Sequence, residues 1–507
     1  MLNHNARASS PFTFGPHFPL ILLIGLGGAC LANAFTFMSM KYVIGVCVGL
    51  FCVCVLIYFH HYVTQISLFA LVSASGMWFQ FWILNQKNPR YIYHLGGAQP
   101  EPMISLVDLS LFLILGLALY RIIVRREPLP AWTGLDTCIL LFLTTCMVSC
   151  FNAPDALLAM AEIVRYCKYV MVYMALRMIF DKGNYSRLLM FSWLFILMLE
   201  AIVSITQYFF YFRVPFFNVL AGINGTSNNT VSGGLNFIRV SGITGHSNIL
   251  STWLLFPLCV SLTALFLRMK PWHKVVVFSC FVLGLVTLVF TFARGGWTAF
   301  LVSCISIVCI MAVSKRLKPL QVRSILFFLI FSIITVYVSG LGTYINARIT
   351  TDDTGALATR PALNKIALRM VGEFPFMGVG INNFQNACWR FDSDHFTLSF
   401  DFPPHNIYML FASEAGIICV IFFIGMGVLL IQKSFSLAKN PHDEYGFFIG
   451  ASCTAYLIGI MVNQLFEATI RYDLILSQCT LMAALVMANK QKDPIGNELT
   501  QTVNKII

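Results

Sequence analysis

The chain has 507 residues, of which 58% are hydrophobic and only 11% charged, with a formal net charge of +12 and a mean hydropathy of +0.78. Soluble domains usually carry about 25% charged residues, so this composition excludes a water-soluble fold and leaves lipid to solvate most of the surface. Nucleic acid is excluded as a partner, because the Lys and Arg sit in short connections and form no basic domain.

In chain order, about fourteen apolar stretches are long enough to cross a hydrocarbon core of ~30 Å, which takes roughly 20 helical residues. They lie near 19–38, 42–60, 63–84, 104–124, 135–151, 156–179, 187–210, 248–267, 274–293, 297–314, 324–342, 406–431, 445–466 and 472–489. Alternation of the barrel type is absent, so the expected fold is all-α, a polytopic membrane protein of about 12–14 transmembrane helices. Residues 1–18 are polar and no small-residue cleavage pattern follows an apolar stretch, so the first span is expected as a retained signal-anchor.

Short-loop cations set the orientation. Arg125, Arg126, Lys182, Arg187, Arg268, Lys270, Lys274, Lys315, Arg316, Lys318, Arg323, Lys433, Lys439, Lys490 and Lys492 all fall on one side of the fourteen-span arrangement. That side is the cytoplasm, which puts both termini inside and the long loops near 211–247 and 343–405 outside. Sixteen cysteines do not make a disulfide framework, since many lie within spans as small hydrophobes and the large loop holds only Cys388.

The expected organisation is helices over 1–210, core helices over 211–342, the large outer loop 343–405, further helices over 406–489 and a cytoplasmic tail from 490 to 507. Residues 223–235 read as a flexible, turn-rich segment, and 350–359 as coil. Arg360–Glu373 places Leu363, Ile366, Ala367 and Met370 at helical spacing with Lys365 and Arg369 between them, an amphipathic helix on the membrane surface or capping the spans. Phe374–Phe384 is rich in Gly, Pro and Asn, which means turns at a close backbone approach.

Several polar groups stand out against this apolar background. The outer loop ends with Arg239, Gly242, Gly245, His246, Ser247 and Asn248 as the span 248–267 begins. The glycines permit tight bends and Ser247 and Asn248 suit a helix cap, whereas a lone cation at a span entrance suits an anionic headgroup. Arg294 is the only charge in the short outer turn Phe292–Trp297. Its planar fork of donors suits a diphosphate, although snorkelling to lipid phosphates uses the same position. Pro403 and Pro404 fix His405 and Asn406 at the entrance of a span. There the positive end of the helix dipole disfavours imidazolium, which keeps the ring able to accept a proton. Glu414 lies deeper and on another face, a buried structural acid. Glu162, Arg165 and Lys168 recur along one helix face, and Glu200 lies in the next span; pairing between spans accounts for these as well as a substrate role does. Asp392-Ser393-Asp394-His395 reads as a solvated loop rather than a metal cluster.

Gly245-His246-Ser247-Asn248 at a span entrance, Arg294 in the following outer turn, the run Arg360–Phe384 and the run Pro403–Gly416 together resemble the O-antigen ligase and polymerase superfamily. The resemblance covers roughly Arg239–Ile431, with the Pro-Pro-His-Asn element its most specific part. It implies a GT-C-like helical fold in the bacterial inner membrane with its active site on the periplasmic face. The implied reaction is inverting and uses neither metal nor cofactor. It transfers a glycan from undecaprenyl diphosphate to a sugar hydroxyl, either on lipid A–core or on a growing glycan, so the partners are these two substrates and membrane lipids. Carried over by position, His405 matches the family's essential loop histidine, and Arg239 and Arg294 match its outer-face arginines. His246, Asn248, Arg165, Lys168, Asn406 and Glu414 are candidates for supporting the substrate site. A diphosphate gains negative charge as it leaves, so arginines lower the barrier, and an acceptor hydroxyl needs a base. Two alternatives remain at this level: an O-oligosaccharyltransferase acting on protein Ser or Thr, and a polysaccharide transporter. The second sits poorly with polar groups at the outer face rather than the midplane.

Overall fold

The computed structural model describes residues 62–77, 80–82, 103–182, 185–210, 229–232, 235–316, 342–343, 345–346, 356–393, 402–440 and 443–488. The expected spans near 19–38 and 42–60, all but the last residue of 324–342, and the tail from 490 lie outside them. The chain divides into a short N-terminal unit, residues 1–66, and a main unit, Ser67–Ile507; in the first, residues 62–66 are described and start a helix, α1 (Val63–Ala74).

In the main unit, two helices begin with the same device. The hydroxyls of Ser105 and Thr133 accept from the backbone of Asp108 and Asp136, whose carboxylates accept in return from the cap N–H groups. These open α2 (Leu106–Ile123) and α3 (Gly134–Ser149). Then follow α4 (Ala156–Lys182), α5 (Ser186–Phe210), α6 (Ser247–Ala264), α7 (Pro271–Phe290) and α8 (Arg294–Val313). After these come α9 (Ala356–Glu373), the single turn α10 (Phe384–Ala387), α11 (Ile407–Ala415), α12 (Ile417–Ala438), α13 (Glu444–Asn463) and α14 (Asp473–Ala488). Among the described residues, seven helices are long and apolar enough to cross a membrane, comprising α3 with its terminal turn to Asn152, α5, α6, α7, α8, α12 and α13. The protein is an all-α polytopic membrane protein.

Among the described residues, two antiparallel strand pairs accompany the helices. Gln80–Trp82 pairs with Met103–Ser105, so among the described residues of the expected third span, 63–84, the helix ends at Ala74 and 80–82 are a strand. Asn229–Ser232 pairs with Leu235–Ile238, with Ser232 opposite Leu235; the stretch read as flexible is therefore partly a ladder leading into Arg239.

The main apolar core surrounds α6, in which Trp253, Leu254, Leu255, Leu258 and Cys259 are fully buried. Trp193 of α5 packs edge-on and Tyr456 of α13 packs tilted against its Phe256, each at a centroid distance of 4.9 Å. Helices α8 and α13 approach closely where Ser303 donates to the Ala455 carbonyl at 3.0 Å, and a Cβ on Gly459 would collide with that hydroxyl. A second core forms where α9 lands. Ile366, Ala367 and Met370 pack with Phe142 of α3 and Leu410 and Phe411 of α11, and Leu363 is buried as well, so the amphipathic face read from the sequence is a packing face. This helix begins at Ala356, which extends it into the stretch expected as coil.

The expected span 406–431 is broken at Gly416. Its φ of +85° lies where only glycine is comfortable, and the Phe376 carbonyl occupies the space a Cβ would need. Backbone bonds tie the two segments together: Val379 N–H to Ser413 O and Gly380 N–H to Glu414 O at 2.9 Å, and Ile417 N–H to Pro375 O at 2.8 Å. The close backbone approach expected for Phe374–Phe384 is present, and its receptor is the α11–α12 junction.

Candidate active site

The segment before α6 is shaped from below by α5. Gln207 Oε1 accepts from the backbone N–H of Ser241 and Gly242, both at 3.0 Å, and Glu200 Oε2 accepts from Ile243 N–H at 3.0 Å. Gly242 and Gly245 adopt φ of +55° and +79°, the bends that the sequence required. Glu200 thus serves the turn rather than a neighbouring span.

The cap of α6 is His246, not Ser247 or Asn248: its Nδ1 accepts the Asn248 N–H at 3.2 Å. The Asn248 side chain is thereby released for a different task. Its Oδ1 accepts from Arg239 Nη2 at 2.6 Å and its Nδ2 donates to Glu467 Oε1 at 2.9 Å. Arg239 is held at its other edge by Nε donating to the Thr291 carbonyl at 3.0 Å.

Arg294 is the first residue of α8, capped by Ala293, so Gly295 and Gly296 belong to the helix rather than to a glycine turn. The bend lies just before, at Phe292, whose φ is +49°. Gly296 is required because a Cβ there would sit 2.6 Å from Ser251 Cβ of α6.

Pro403 and Pro404 lead to His405 as expected, but Asn406 is the residue that caps α11, its Oδ1 accepting from Tyr408 N–H at 3.0 Å and Met409 N–H at 3.1 Å. His405 precedes the cap, 35% exposed, with Nδ1 3.4 Å from Glu467 Oε2. Arg360, near the start of α9, donates from Nη2 to Glu467 Oε1 at 3.3 Å.

Glu467 therefore gathers the site, and its own position is fixed by the turn after α13. Gln464 donates to Thr469 Oγ1 at 2.9 Å and accepts from Ile470 N–H at 3.1 Å, while Ile407 N–H bonds to the Gln464 carbonyl at 3.0 Å. The N-termini of α6, α8 and α11 all converge on this turn: α6 through Asn248, α11 through Ile407, and α8 through Gly295, which faces Phe466, Asn463 and Glu467. Three positive helix ends add to the arginines as features suited to an anion.

Electrostatics agree with that geometry. Burial lowers Arg239 to about 10, with Glu467 opposing and Arg294 and Arg360 adding repulsion. Burial by itself would raise Glu467, but His405, Arg360 and His246 outweigh it and hold the carboxyl below its usual range. His246 is pushed down to about 4 by burial and by Arg239, against the pull of Glu467, with His405 adding a further push.

Other candidates take their partners elsewhere. Glu414 is buried, its Oε2 3.0 Å from Arg471 Nη1 and its Oε1 accepting from Phe384 N–H. Arg471 also reaches Asn382 at 2.8 Å and Glu162 at 3.4 Å. Arg165 pairs with Glu162 on its own helix and with Asp473 of α14, and Lys168 with Asp108 of α2. Arg471 is the hub of a pairing network that joins Glu414 of α11 to Glu162 and Arg165 of α4 and Asp473 of α14, and Lys168–Asp108 is a separate pair between α4 and α2. Asp392 is buried, not part of a solvated loop, and Asp394 and His395 lie outside the described residues.

Glu467 and Arg360 were missed by sequence reasoning. The signal that marked Arg294, a charge in a short outer connection, applies equally to Glu467 between the last two spans. Arg360 lies near the start of α9, and nothing local distinguishes its charge from those of Lys365 and Arg369.

Fold and site together define a multi-pass membrane protein with an arginine- and histidine-bearing polar site where the helix ends meet. Residues 279–424 match the family model described as O-antigen ligase, a stretch that includes Arg294, Arg360 and His405. The match supports a likeness of this stretch to the O-antigen ligase and polymerase superfamily. Arg239, His246, Asn248 and Glu467 lie outside the matched residues. Comparison with curated proteins gives no match.

Proposed function

We propose that this protein transfers a glycan, with inversion, from an undecaprenyl-diphosphate-linked donor to a sugar hydroxyl at the periplasmic face of the inner membrane. The observation that carries this reading is the convergence of Asn248, Arg360 and His405, from three separate chain segments, on the single carboxylate of Glu467. Glu467 facing Nδ1 orients the ring so that Nε2 is the basic nitrogen, the arrangement by which a buried acid fixes a histidine's tautomer. Nε2 of His405 takes the acceptor hydroxyl's proton as the oxygen attacks the anomeric carbon. The bond from that carbon to the diphosphate oxygen breaks, and the leaving undecaprenyl diphosphate carries the electron pair. Arg239 and Arg294, joined by Arg360, bind the diphosphate more strongly as its charge grows.

The test is transfer by the purified full-length protein from a defined undecaprenyl-diphosphate glycan to lipid A–core or to a second donor molecule. Product with either acceptor is the expected result, and its linkage inverted relative to the donor. Retained anomeric configuration, or no transfer to either acceptor by folded protein, would overturn the reading.

A further inference from the structure

His246 is explained as a helix cap by only one of its two ring nitrogens. Nδ1 accepts the Asn248 N–H at 3.2 Å, so a neutral ring must carry its proton on Nε2. The ring is half-buried, and Nε2 makes no hydrogen bond among the described residues. A serine or asparagine would cap the helix at least as well, so capping alone leaves the imidazole's outer edge without a purpose.

We propose that His246 is a fixed neutral donor of this site, presenting Nε2–H to an oxygen of the donor's diphosphate while Nδ1 caps α6. The proposal rests on the reading of the site as a lipid-diphosphate site. Three features bring the residue beside that site. The ring's own hydrogen-bond partner, Asn248, is the residue that clamps Arg239 and touches Glu467. The ring senses Arg239, Glu467 and His405 electrostatically. It stands at the N-terminus of α6, whose positive end suits an anion. A neutral donor has a physical advantage here: Arg239 already feels repulsion from Arg294 and Arg360. A further cation would raise the cost of assembling the empty site, whereas Nε2–H adds a hydrogen bond without adding like charge. The two histidines then divide the labour: His405, oriented by an acid, accepts a proton, and His246, oriented by a backbone N–H, donates a hydrogen bond and keeps its proton.

The experiment compares wild type, His246→Ser and His246→Asn, full length in nanodiscs, for binding of undecaprenyl diphosphate and of undecaprenol, with thermal stability measured alongside. Serine retains an oxygen to cap the helix and lacks the ring. The expected result is a melting temperature close to wild type, binding of undecaprenyl diphosphate weakened about tenfold, and undecaprenol binding unchanged, since one neutral hydrogen bond is worth about 1 kcal/mol or somewhat more. Wild-type discrimination between the two lipids that survives intact in His246→Ser would overturn the proposal and leave the site reading standing. Should serine destabilise the protein, His246→Asn, an equally good cap, is judged by the same criterion. If wild type itself fails to discriminate the lipids, the diphosphate site is wrong and His246 falls with it.

Discussion

Glu467 Oε2 lies 3.4 Å from His405 Nδ1, and the other oxygen of the same carboxylate accepts from Asn248 at 2.9 Å and Arg360 at 3.3 Å. One acid thus orients the proposed base and spaces the groups proposed to hold the donor. His405→Ala should abolish product while leaving the protein inserted and folded. Glu467→Gln keeps the volume and removes the charge; transfer should fall about 10²-fold, at the low end for lost acid–base assistance. Its pH–rate profile should shift as well. Initial rates across pH check both, and near-wild-type transfer by His405→Ala would sink the base assignment.

Arg294→Lys should behave as a damaging change. Lysine keeps the charge but not the planar fork that can bridge two phosphate oxygens. The loss should be roughly 2–3 kcal/mol, or about one and a half to two decades in rate. Transfer rates of wild type, Arg294→Lys and Arg294→Ala at equal amounts decide it. A lysine variant as fast as wild type would mean that the guanidinium only snorkels to lipid headgroups.

Acidification should destabilise the site before it unfolds the spans. His246 sits at about 4 when folded against an ordinary 6.5, so between these values the unfolded chain binds the extra proton. Its contribution to stability is therefore complete above about pH 6.5 and is lost as pH falls toward 4. The flanking Arg239, Glu467 and His405 modulate the size of the effect. Melting temperatures of wild type and His246→Ser should be close at pH 7.5 and separate toward pH 4.5, the wild type falling further, if this histidine is responsible; parallel curves would assign the effect to other groups.

Arg471→Met should cost stability, not merely activity. The variant strands Glu414, about 2% exposed at the side chain, without the guanidinium that faces it at 3.0 Å, and leaves Glu162 with Arg165 alone. Breaking a buried pair on one side typically costs about 3–5 kcal/mol. Folded yield after detergent extraction is the readout, and adding Glu414→Gln should restore part of it. A stable Arg471→Met single variant would show that the network is not structural.

The one-sided Lys and Arg distribution predicts where the loops lie. Reporter fusions or cysteine accessibility should place 343–405 outside the membrane and 315–323 inside. Finding both on one side would remove a span and dislodge His405 from the face assigned to it.

Helix ends were legible where an apolar run alone sets them. The expected spans 187–210, 248–267, 274–293 and 445–466 correspond to α5, α6, α7 and α13 within a few residues. The break at Gly416 was not, because its cause is the Phe376 carbonyl, brought there by a tertiary contact. Local sequence shows a glycine in an apolar run and nothing more. In the site, the rigid Pro-Pro-His-Asn entrance and the isolated arginines were visible because charges near hydrocarbon are rare. The partnership of Asn248 and Glu467 was invisible, since it joins positions 219 residues apart. The choice of His246 over Ser247 or Asn248 as cap depends on the bend that Glu200 and Gln207 impose from α5.

The contact between Gly459 and Ser303 has a consequence at a distance. Arg294 stands at the head of α8 and Glu467 just past the end of α13, so the bare Cα of Gly459 sets the calliper between a proposed phosphate ligand and the acid that orients the base. A methyl group at that position touches no substrate. Yet it wedges the two helices apart and opens the jaws of the site, so a search for inactive variants should return Gly459 beside His405, with protein that is folded, inserted and idle.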